Sequence, residues 1–417
     1  MPTKPPINPD LLRHARESAG LIPSEAASKL GLRDSSRGAA EDRVRAWESG
    51  KQRPTRNQLE RLSEIYRRPI LYFFLSRVPP ADKRLPDFRV VGHKRELSPL
   101  LAALVRMLQT RHDELRLLLE DLESPPIDVV ASVNISSTTP AELADRIRND
   151  LELDHTLKGS RKGPEATLKV LRGACERAGI FVWMAGNLGS HHSSVGTDEF
   201  RGMAFADPLA PLIVVNPNDA KGALVFTLVH ELAHIWLGET GLSNAAPFDA
   251  EQEKDDVEAF CNQTAEELLL PEREVFDTWE SSSDVEPKRL AAIIAQEFGV
   301  SHTAAAFRMR RLGLIDDYEW HSLRAEFHRR WLTSRTSASQ GGGPTFYQMK
   351  QYEVGRPVVR LVSAAVNSGS LTPTRASRIL QIAPTRRRIR VTSVLTESGF
   401  KSILPLTKPP TPSSLRR

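Results

Sequence analysis

Two histidines four residues apart, with a glutamate after the first, stand in the segment Phe226–Gly238, FTLVHELAHIWLG. On a helix, His230 and His234 fall on one face one turn apart, so two imidazole nitrogens can be aimed at a single metal ion. Glu231 sits beside the first of them, within reach of a water held at that ion. This is the H-E-x-x-H arrangement of zinc peptidases. Zinc in such a site lowers the pKa of its water toward ~7 and polarises a scissile carbonyl. Glu231 is then the general base that takes the water's proton and can pass it to the leaving amine. Val225, Val229, Leu232, Ala233, Trp236 and Leu237 make the same helix apolar on most sides, so it is expected to be buried. Two imidazoles and a carboxylate in such a helix need partners, because unpaired burial is costly.

A catalytic zinc takes three protein ligands and leaves a fourth position open. Downstream, His302, His321 and His328 lie in no segment that reads as buried near the motif. The stretch Asp256–Pro271, DVEAFCNQTAEELLLP, reads as a helix with Val257, Cys261, Ala265 and Leu268 on one face. Glu258 is near its start and Asn262 follows one turn later on the same side. Glu258 is the candidate third ligand, with Asn262 as a partner behind a ligand. Asp255 and Glu251 are rivals for the same place.

FTLVHELAHIWLG, followed about twenty residues later by E-x-x-C-N-x-x-A-E-E-L-L-L-P, resembles the ImmA/IrrE family of metallo-endopeptidases. The upstream GMAF and PLIVVN stretches fit the same family, and the resemblance covers Ala174 to Leu314, about a third of the chain. It implies a reduced thermolysin-like (zincin) catalytic domain with a small sheet. His230, His234 and Glu258 would be the zinc ligands and Glu231 the base. Two positions depart from the family pattern: Ala233 stands where glycine is frequent and Thr264 where an aromatic is common. Members of the family cleave transcriptional repressors, which implies a helix-turn-helix repressor or antitoxin as the protein substrate here, and derepression of genes as the result.

The elements that must hold this motif can be read outward from it. Ile180–Trp183, Gly202–Phe205 and Leu212–Asn216 are short strand candidates that precede the motif helix, so a small sheet is expected to pack on it. Glu165–Ala178 reads as a helix, and Leu97–Leu122 and Pro140–Leu151 as amphipathic helices, with Pro125 and Pro126 interrupting them. Farther on, Leu290–Ile315 has two helices about a turn at Phe298–Ser301. That is a helix-turn-helix-like pair in which Arg308, Arg310 and Arg311 could contact phosphate or simply pack.

The first eighty residues have a different character, with fifteen Lys/Arg against nine Asp/Glu, whereas Glu231–Glu272 carries eleven acids against Lys254 alone. Leu11, Leu12, Ala15 and Ala19 keep helical spacing up to Gly20, Ser24 can cap a helix ending at Gly31, and Thr55 can cap one carrying Leu59, Leu62, Ile65 and Tyr66. Ala26–Ala27, Leu30–Gly31, Trp47–Gly50 and Pro54–Thr55 resemble the Cro/repressor-type (XRE) helix-turn-helix. An insert, Arg33 to Glu41, is expected to alter the element that would enter the major groove. Arg37, Arg43 and Arg45 are the candidate DNA contacts, and a protein-docking module is the other reading.

The expected organisation is multidomain α+β: an all-α helix-turn-helix domain at 7–78, a connector and helical region at 79–165, and the metallopeptidase domain at 166–282. A helix-turn-helix-like helical region at 283–332, a Gly/Ser-rich linker at 333–344, a small helical unit at 345–400 and a disordered tail at 401–417 follow. Two cysteines, Cys175 and Cys261, make no disulfide framework and read as buried structural thiols. His191 and His192, in a Gly/Ser-rich loop, read as surface histidines. No run approaches the ~20 apolar residues of a membrane helix, and no apolar signal core opens the chain, so a cytoplasmic protein without a membrane partner is expected. The function so implied is zinc-dependent regulatory proteolysis of a protein substrate. The alternative is a DNA-binding transcriptional regulator whose peptidase fold acts as sensor or scaffold.

Overall fold

The computed structural model describes residues 7–35, 38–78, 97–153, 163–189, 193–243, 256–282, 285–335 and 345–382. Arg37, His191, His192, Glu251, Asp255 and the tail beyond 382 lie outside the described residues. The chain divides into two compact units, the first reaching to Gly341 and the second beginning at Gly342.

The first unit opens with four short helices, α1 (Pro9–Ser18), α2 (Pro23–Lys29), α3 (Ala40–Glu48) and α4 (Arg56–Ile65), and a 3₁₀ turn at Ile70–Phe74. They enclose their own core, with Leu11, Leu12, Ala15, Ala26, Val44, Trp47, Leu59, Leu62 and Phe73 all but sealed from solvent. Gly20 and Gly31 follow α1 and α2 in left-handed conformation, which costs a glycine little. Arg16 and Glu48 are both buried and pair at 2.7 Å, pinning α1 to α3. The expected insert falls mainly in the turn between α2 and α3, where Ser35 and Gly38 pair as a two-residue bridge. The following helix, α3, has nine residues.

A long helix, α5 (Pro99–Asp121), follows with Ser98 as its cap. Its start lies against α1, since a Cβ on Gly20 would come within 2.5 Å of Pro99 Cγ. Its far half meets the sheet: His112 Nε2 lies 2.9 Å from the Ala210 carbonyl, Arg116 pairs with Asp207 at 2.9 Å, and the Arg111 guanidinium sits 4.3 Å over the Trp183 ring.

Then come α6 (Pro140–Asp150), α7 (Pro164–Arg177), β1 (Phe181–Met184), β2 (Gly202–Phe205), β3 (Leu212–Val215), α8 (Lys221–Leu237) and β4 (Gly241–Ser243). The helices α9 (Asp256–Leu269), α10 (Glu272–Glu280), α11 (Pro287–Phe298), α12 (His302–Arg311) and α13 (Asp317–Arg335) complete the unit. The sheet runs β1-β3-β2-β4. β1 lies parallel to β3, with Trp183 opposite Val214. β2 runs antiparallel to both β3 and β4, with Ala204 opposite Ile213 and Met203 opposite Leu242. The three expected strands form, and β4 is an addition: three residues after a glycine give no alternation to read. Valine, isoleucine and leucine on both faces of β3 suit a strand covered on both sides.

One hydrophobic core runs from Val130 through Leu143, Ile147, Leu171, Ile213, Leu228, Trp236, Leu268, Ile294 and Phe307 to Phe327. α6 and the helices after α10 therefore share the core of the sheet and α8. A Cβ on Gly222, in the first turn of α8, would come within 2.4 Å of Ser301 Cβ, so the α11–α12 turn sits directly on the motif helix. Thr167 ties α7 to the same turn through the Gly299 carbonyl at 2.7 Å. Of the readings open for Arg308, a phosphate contact or packing, its burial supports packing. Arg308 is 5% exposed, bonds the Leu270 carbonyl at 3.0 Å and pairs with the equally buried Glu266 at 3.3 Å. Arg311 reaches Glu266 at 3.5 Å, and Arg310 pairs with Asp317. Both cysteines are buried and unbridged, and burial pushes the Cys175 thiol up to about 12.

The second unit consists of α14 (Phe346–Val354), α15 (Arg356–Asn367) and α16 (Pro373–Ile379) around Val354, Val358, Val362, Leu371, Ala376 and Ile379. Among the described residues no helix is long and apolar enough to cross a membrane.

The Arg308–Glu266 pair gives a stability prediction. Glu266→Ala removes the buried carboxylate shared by Arg308 and Arg311 while Arg308 keeps its pair with Glu267, and it should destabilise the first unit by about 1–3 kcal/mol. Replacing both residues with methionine should restore most of the loss, as read by urea denaturation followed by tryptophan fluorescence. An unchanged midpoint for the single variant would contradict the pairing.

Candidate metal centre

The site is built on two helices. α8 carries His230, Glu231 and His234, and it is buried along almost its whole length from Leu224 to Trp236. Such a helix needs an apolar partner on every side, supplied by the sheet, α7, α9 and the α11–α12 turn. Its end is fixed by Gly238 in left-handed conformation, where a Cβ would meet Ala131 at 2.6 Å. It is also fixed by Ala131 and Val133, whose N–H groups donate to the Ile235 and Trp236 carbonyls at 3.1 Å. The Trp236 indole donates to Asp150 at 3.0 Å, anchoring the helix to α6.

α9 brings Glu258 to the two histidines. Its Oε2 lies 3.1 Å from His230 Nε2, and its Oε1 lies 3.2 Å from His234 Nε2. The two Nε2 atoms are 3.1 Å apart. With metal–nitrogen bonds of about 2.0–2.1 Å, the edge of a tetrahedral site measures roughly 3.3 Å, so this triangle has the size that a metal ion requires. Among the described residues these three are the group of histidine and carboxylate donors close enough for one ion. All three are buried, at 2%, 4% and 6% exposure.

The tautomer is consistent with ligation. His230 Nδ1 faces Asn262 Oδ1 at 3.0 Å. The amide oxygen can only accept, so the ring proton sits on Nδ1 and the Nε2 lone pair is free to point into the triangle. Phe226, one turn earlier, stacks on the His230 ring with centroids 6.5 Å apart. The electrostatics are those of a dry site. Burial works to raise the Glu258 carboxyl, but the charges and hydrogen bonds of His230 and His234 outweigh it and hold it well below the carboxylate range. Burial alone would lower His230, and Glu258 reverses that and raises it.

Glu231 stands apart from the triangle. It is fully buried, and neither carboxylate oxygen has a hydrogen-bond partner. Burial first, then the nearby Glu258 charge, push its carboxyl up to about 7 against the pull of His230 and His234. Ser243 lies alongside and weakly favours the ionised form without closing a hydrogen bond, and its own hydroxyl is also unsatisfied. Two orphaned carboxylate oxygens beside a two-imidazole, one-carboxylate set are what a metal ion and a water would complete.

β2 makes room for this group. A Cβ on Gly202 would fall 2.3 Å from Glu231 Oε1 and 2.6 Å from Thr227 Cγ2. The strand backbone therefore runs directly against the carboxylate, and glycine is the residue that permits it. Sequence reasoning read Gly202 only as the start of a strand and passed over Ser243. The signal for Gly202 was a glycine opening an otherwise apolar strand, a mark of close backbone approach.

Of the proposed DNA contacts, Arg43 donates to the Arg33 carbonyl at the α2–α3 turn. Arg45 is exposed on α3 with Glu41 3.6 Å away. His302 is exposed, with its ring 5.4 Å from that of Phe327, and takes no part in the triangle.

Two histidines and a glutamate on crossing buried helices, with a second glutamate beside them, make a metallopeptidase-type site. Residues 175–310 match the Peptidase_M78 family model, described as the IrrE N-terminal-like domain. Comparison with curated proteins gave no match, and comparison with solved structures gave none either.

Asn262→Ala removes the acceptor that orients His230, and metal affinity should fall about 10- to 100-fold. Competition against a chromophoric chelator measures it; an unchanged affinity would remove Asn262 from the site.

Proposed function

We propose that this chain is a zinc-dependent endopeptidase whose substrate is a protein, a helix-turn-helix transcriptional repressor or antitoxin, and whose cut derepresses genes. The observation that carries the reading is the closure of His230, His234 and Glu258 into one triangle, with Glu231 sealed beside it and unpartnered. The match of residues 175–310 to a peptidase family supports the reaction class.

His230, His234 and Glu258 would hold the ion, and two imidazoles with one carboxylate suit zinc. A zinc ion bound there supplies Lewis acidity toward a carbonyl and acidifies water. The remaining work falls to the chain's own groups. Glu231 Oε1 or Oε2 takes a proton from a water molecule as the oxygen attacks the carbonyl carbon of the scissile peptide. It then delivers that proton to the departing amide nitrogen, so the C–N bond breaks to a carboxylate and an amine. Burial raises the basicity of Glu231 and keeps bulk water from competing for the proton. Gly202 keeps the carboxylate unobstructed. Asn262 fixes the tautomer of His230.

The N-terminal helices are the part proposed to meet DNA or to dock the substrate, in keeping with the helix-turn-helix resemblance of α2 and α3. Arg43 and Arg45 lie on α3, the helix that would face a groove.

The test is a gel assay of wild type, Glu231→Gln and chelator-treated protein against the helix-turn-helix repressor encoded nearest to this chain. Wild type should give one discrete cut. Glu231→Gln should keep its metal and lose about 10²–10⁴-fold in rate. Cutting by Glu231→Gln at the wild-type rate would overturn the assignment.

Gly202→Ala tests the site from the other side. It should leave metal content unchanged and lower the rate of cutting at least about tenfold by displacing Glu231 from its place. A fully active alanine variant would show that the strand can yield.

A further inference from the structure

We propose that the seam between α5 and the N-terminal helices binds a phosphate-bearing small anion, held by Arg67, Arg68 and Arg106 beside the Tyr72–His14 pair. The site is separate from the metal centre and is not needed for the reaction assigned to it.

Four elements meet at this seam. α5 packs its first turn on the end of α1 at Gly20 and Pro99. Two turns along α5 stands the half-buried Arg106, near enough to Arg67 and Arg68, which follow the end of α4, for their charges to act on it. The Arg68 guanidinium lies 4.9 Å over the ring of the buried Tyr72. On α1, His14 completes the set: its Nδ1 is 2.6 Å from the Tyr72 hydroxyl, and the two rings stack at 6.3 Å.

The unusual feature is what this cluster lacks. Two buried arginines of the first unit are matched by carboxylates, Arg16 by Glu48 and Arg308 by Glu266 and Glu267. Here Arg68 Nε is closed off from solvent and has no hydrogen-bond partner among the described residues. Burial first, then the charges of Arg68 and Arg67, hold Arg106 down to about 10, so it stays charged at neutral pH among like charges. His14 is lowered by burial and then by Arg68 and Arg106, with Glu17 opposing. Glu17 is itself engaged by Arg16 at 3.4 Å. Arg68 and Arg106 are partly buried and Arg67 stands exposed beside them, and like charges gathered at such a partly desolvated seam are costly unless a counter-charge joins them. A guanidinium fork accepts two oxygens of one phosphate, and several forks around one point fit its geometry better than they fit chloride.

The location favours a small anion over duplex DNA. The cluster is made by α1, the end of α4, the 3₁₀ turn and α5. Nothing from α3 contributes, and the α3 arginines are engaged locally with Arg33 and Glu41. An anion at the seam would touch both the N-terminal helices and the helix whose far half is bonded to the sheet at Ala210 and Asp207.

The test uses the full chain with its metal, in titration calorimetry and thermal melts. The probes are inorganic phosphate, pyrophosphate and ATP, with sodium chloride at matched ionic strength as reference. Variants are Arg68→Gln and Arg106→Gln, with Arg56→Gln, an exposed partner of Glu60 at 3.0 Å, as control. Wild type and Arg56→Gln should bind at least one phosphate-bearing probe and melt higher with it, and the other two variants should bind about tenfold more weakly or worse. In phosphate-free buffer Arg106→Gln should melt at or above wild type, which shows the variant folded and the repulsion relieved. Equal affinity for pyrophosphate and ATP would make the phosphates the whole determinant, whereas tighter ATP binding would add the aromatic pair; both support the site. No binding of any probe beyond the chloride reference, or equal binding by wild type and Arg106→Gln, would overturn it.

Discussion

Burying a carboxylate that nothing neutralises is the constraint around which this fold is arranged. Glu231 sits at the centre of an apolar helix, and the helix can stay there only because every side of it is covered. The sheet covers one side, α9 crosses it with Glu258, and the α11–α12 turn closes on its first turn at Gly222 and Ser301. Each cover also serves the chemistry. The strand that helps cover Glu231 is the one whose glycine lets the carboxylate come close to the backbone. The helix that fills the other side carries the third donor and, one turn later, the amide that sets a histidine's tautomer. Removing solvent from this centre and assembling it are the same act of packing.

The centre itself was legible in the residues because its chemistry demands particular types at particular intervals. A histidine pair at helical spacing, a glutamate between them, and a downstream helix with a glutamate and an asparagine one turn apart leave few arrangements, and the structure brings those residues together. The helix limits expected along α5, α6 and α7 also fell within a residue or two. What stayed hidden depends on contacts between distant segments. β4 is three residues long and becomes a strand only because β2 offers it an edge. Gly202 owes its meaning to Glu231, twenty-nine positions away. Arg308 and Arg311 look like a basic surface until Glu266 is seen beneath them, since a charge pattern cannot tell a solvated face from a buried pair.

The N-terminal helices show the same division. Their core residues follow from spacing, and the two left-handed glycines mark the helix ends. Trp47 and Val44 hold α3 in the core of these helices. The arginines after α4 carry no local signature at all. Their significance comes from α5, which arrives from elsewhere in the chain and adds a third like charge.

The continuous core has a consequence for how far an evolutionary signature and a unit of folding coincide. The family match spans residues 175–310. Cut at those limits, the polypeptide would begin inside α7 and end inside α12. It would lose Leu143, Ala144 and Ile147 beneath the motif helix and Trp320, Leu323 and Phe327 beside α12, all of them buried. The matched stretch holds the three donors, while the continuous core around it reaches from Val130 to Phe327. Excising the recognisable portion alone would therefore expose greasy surface on two sides and yield an aggregating fragment with an intact motif.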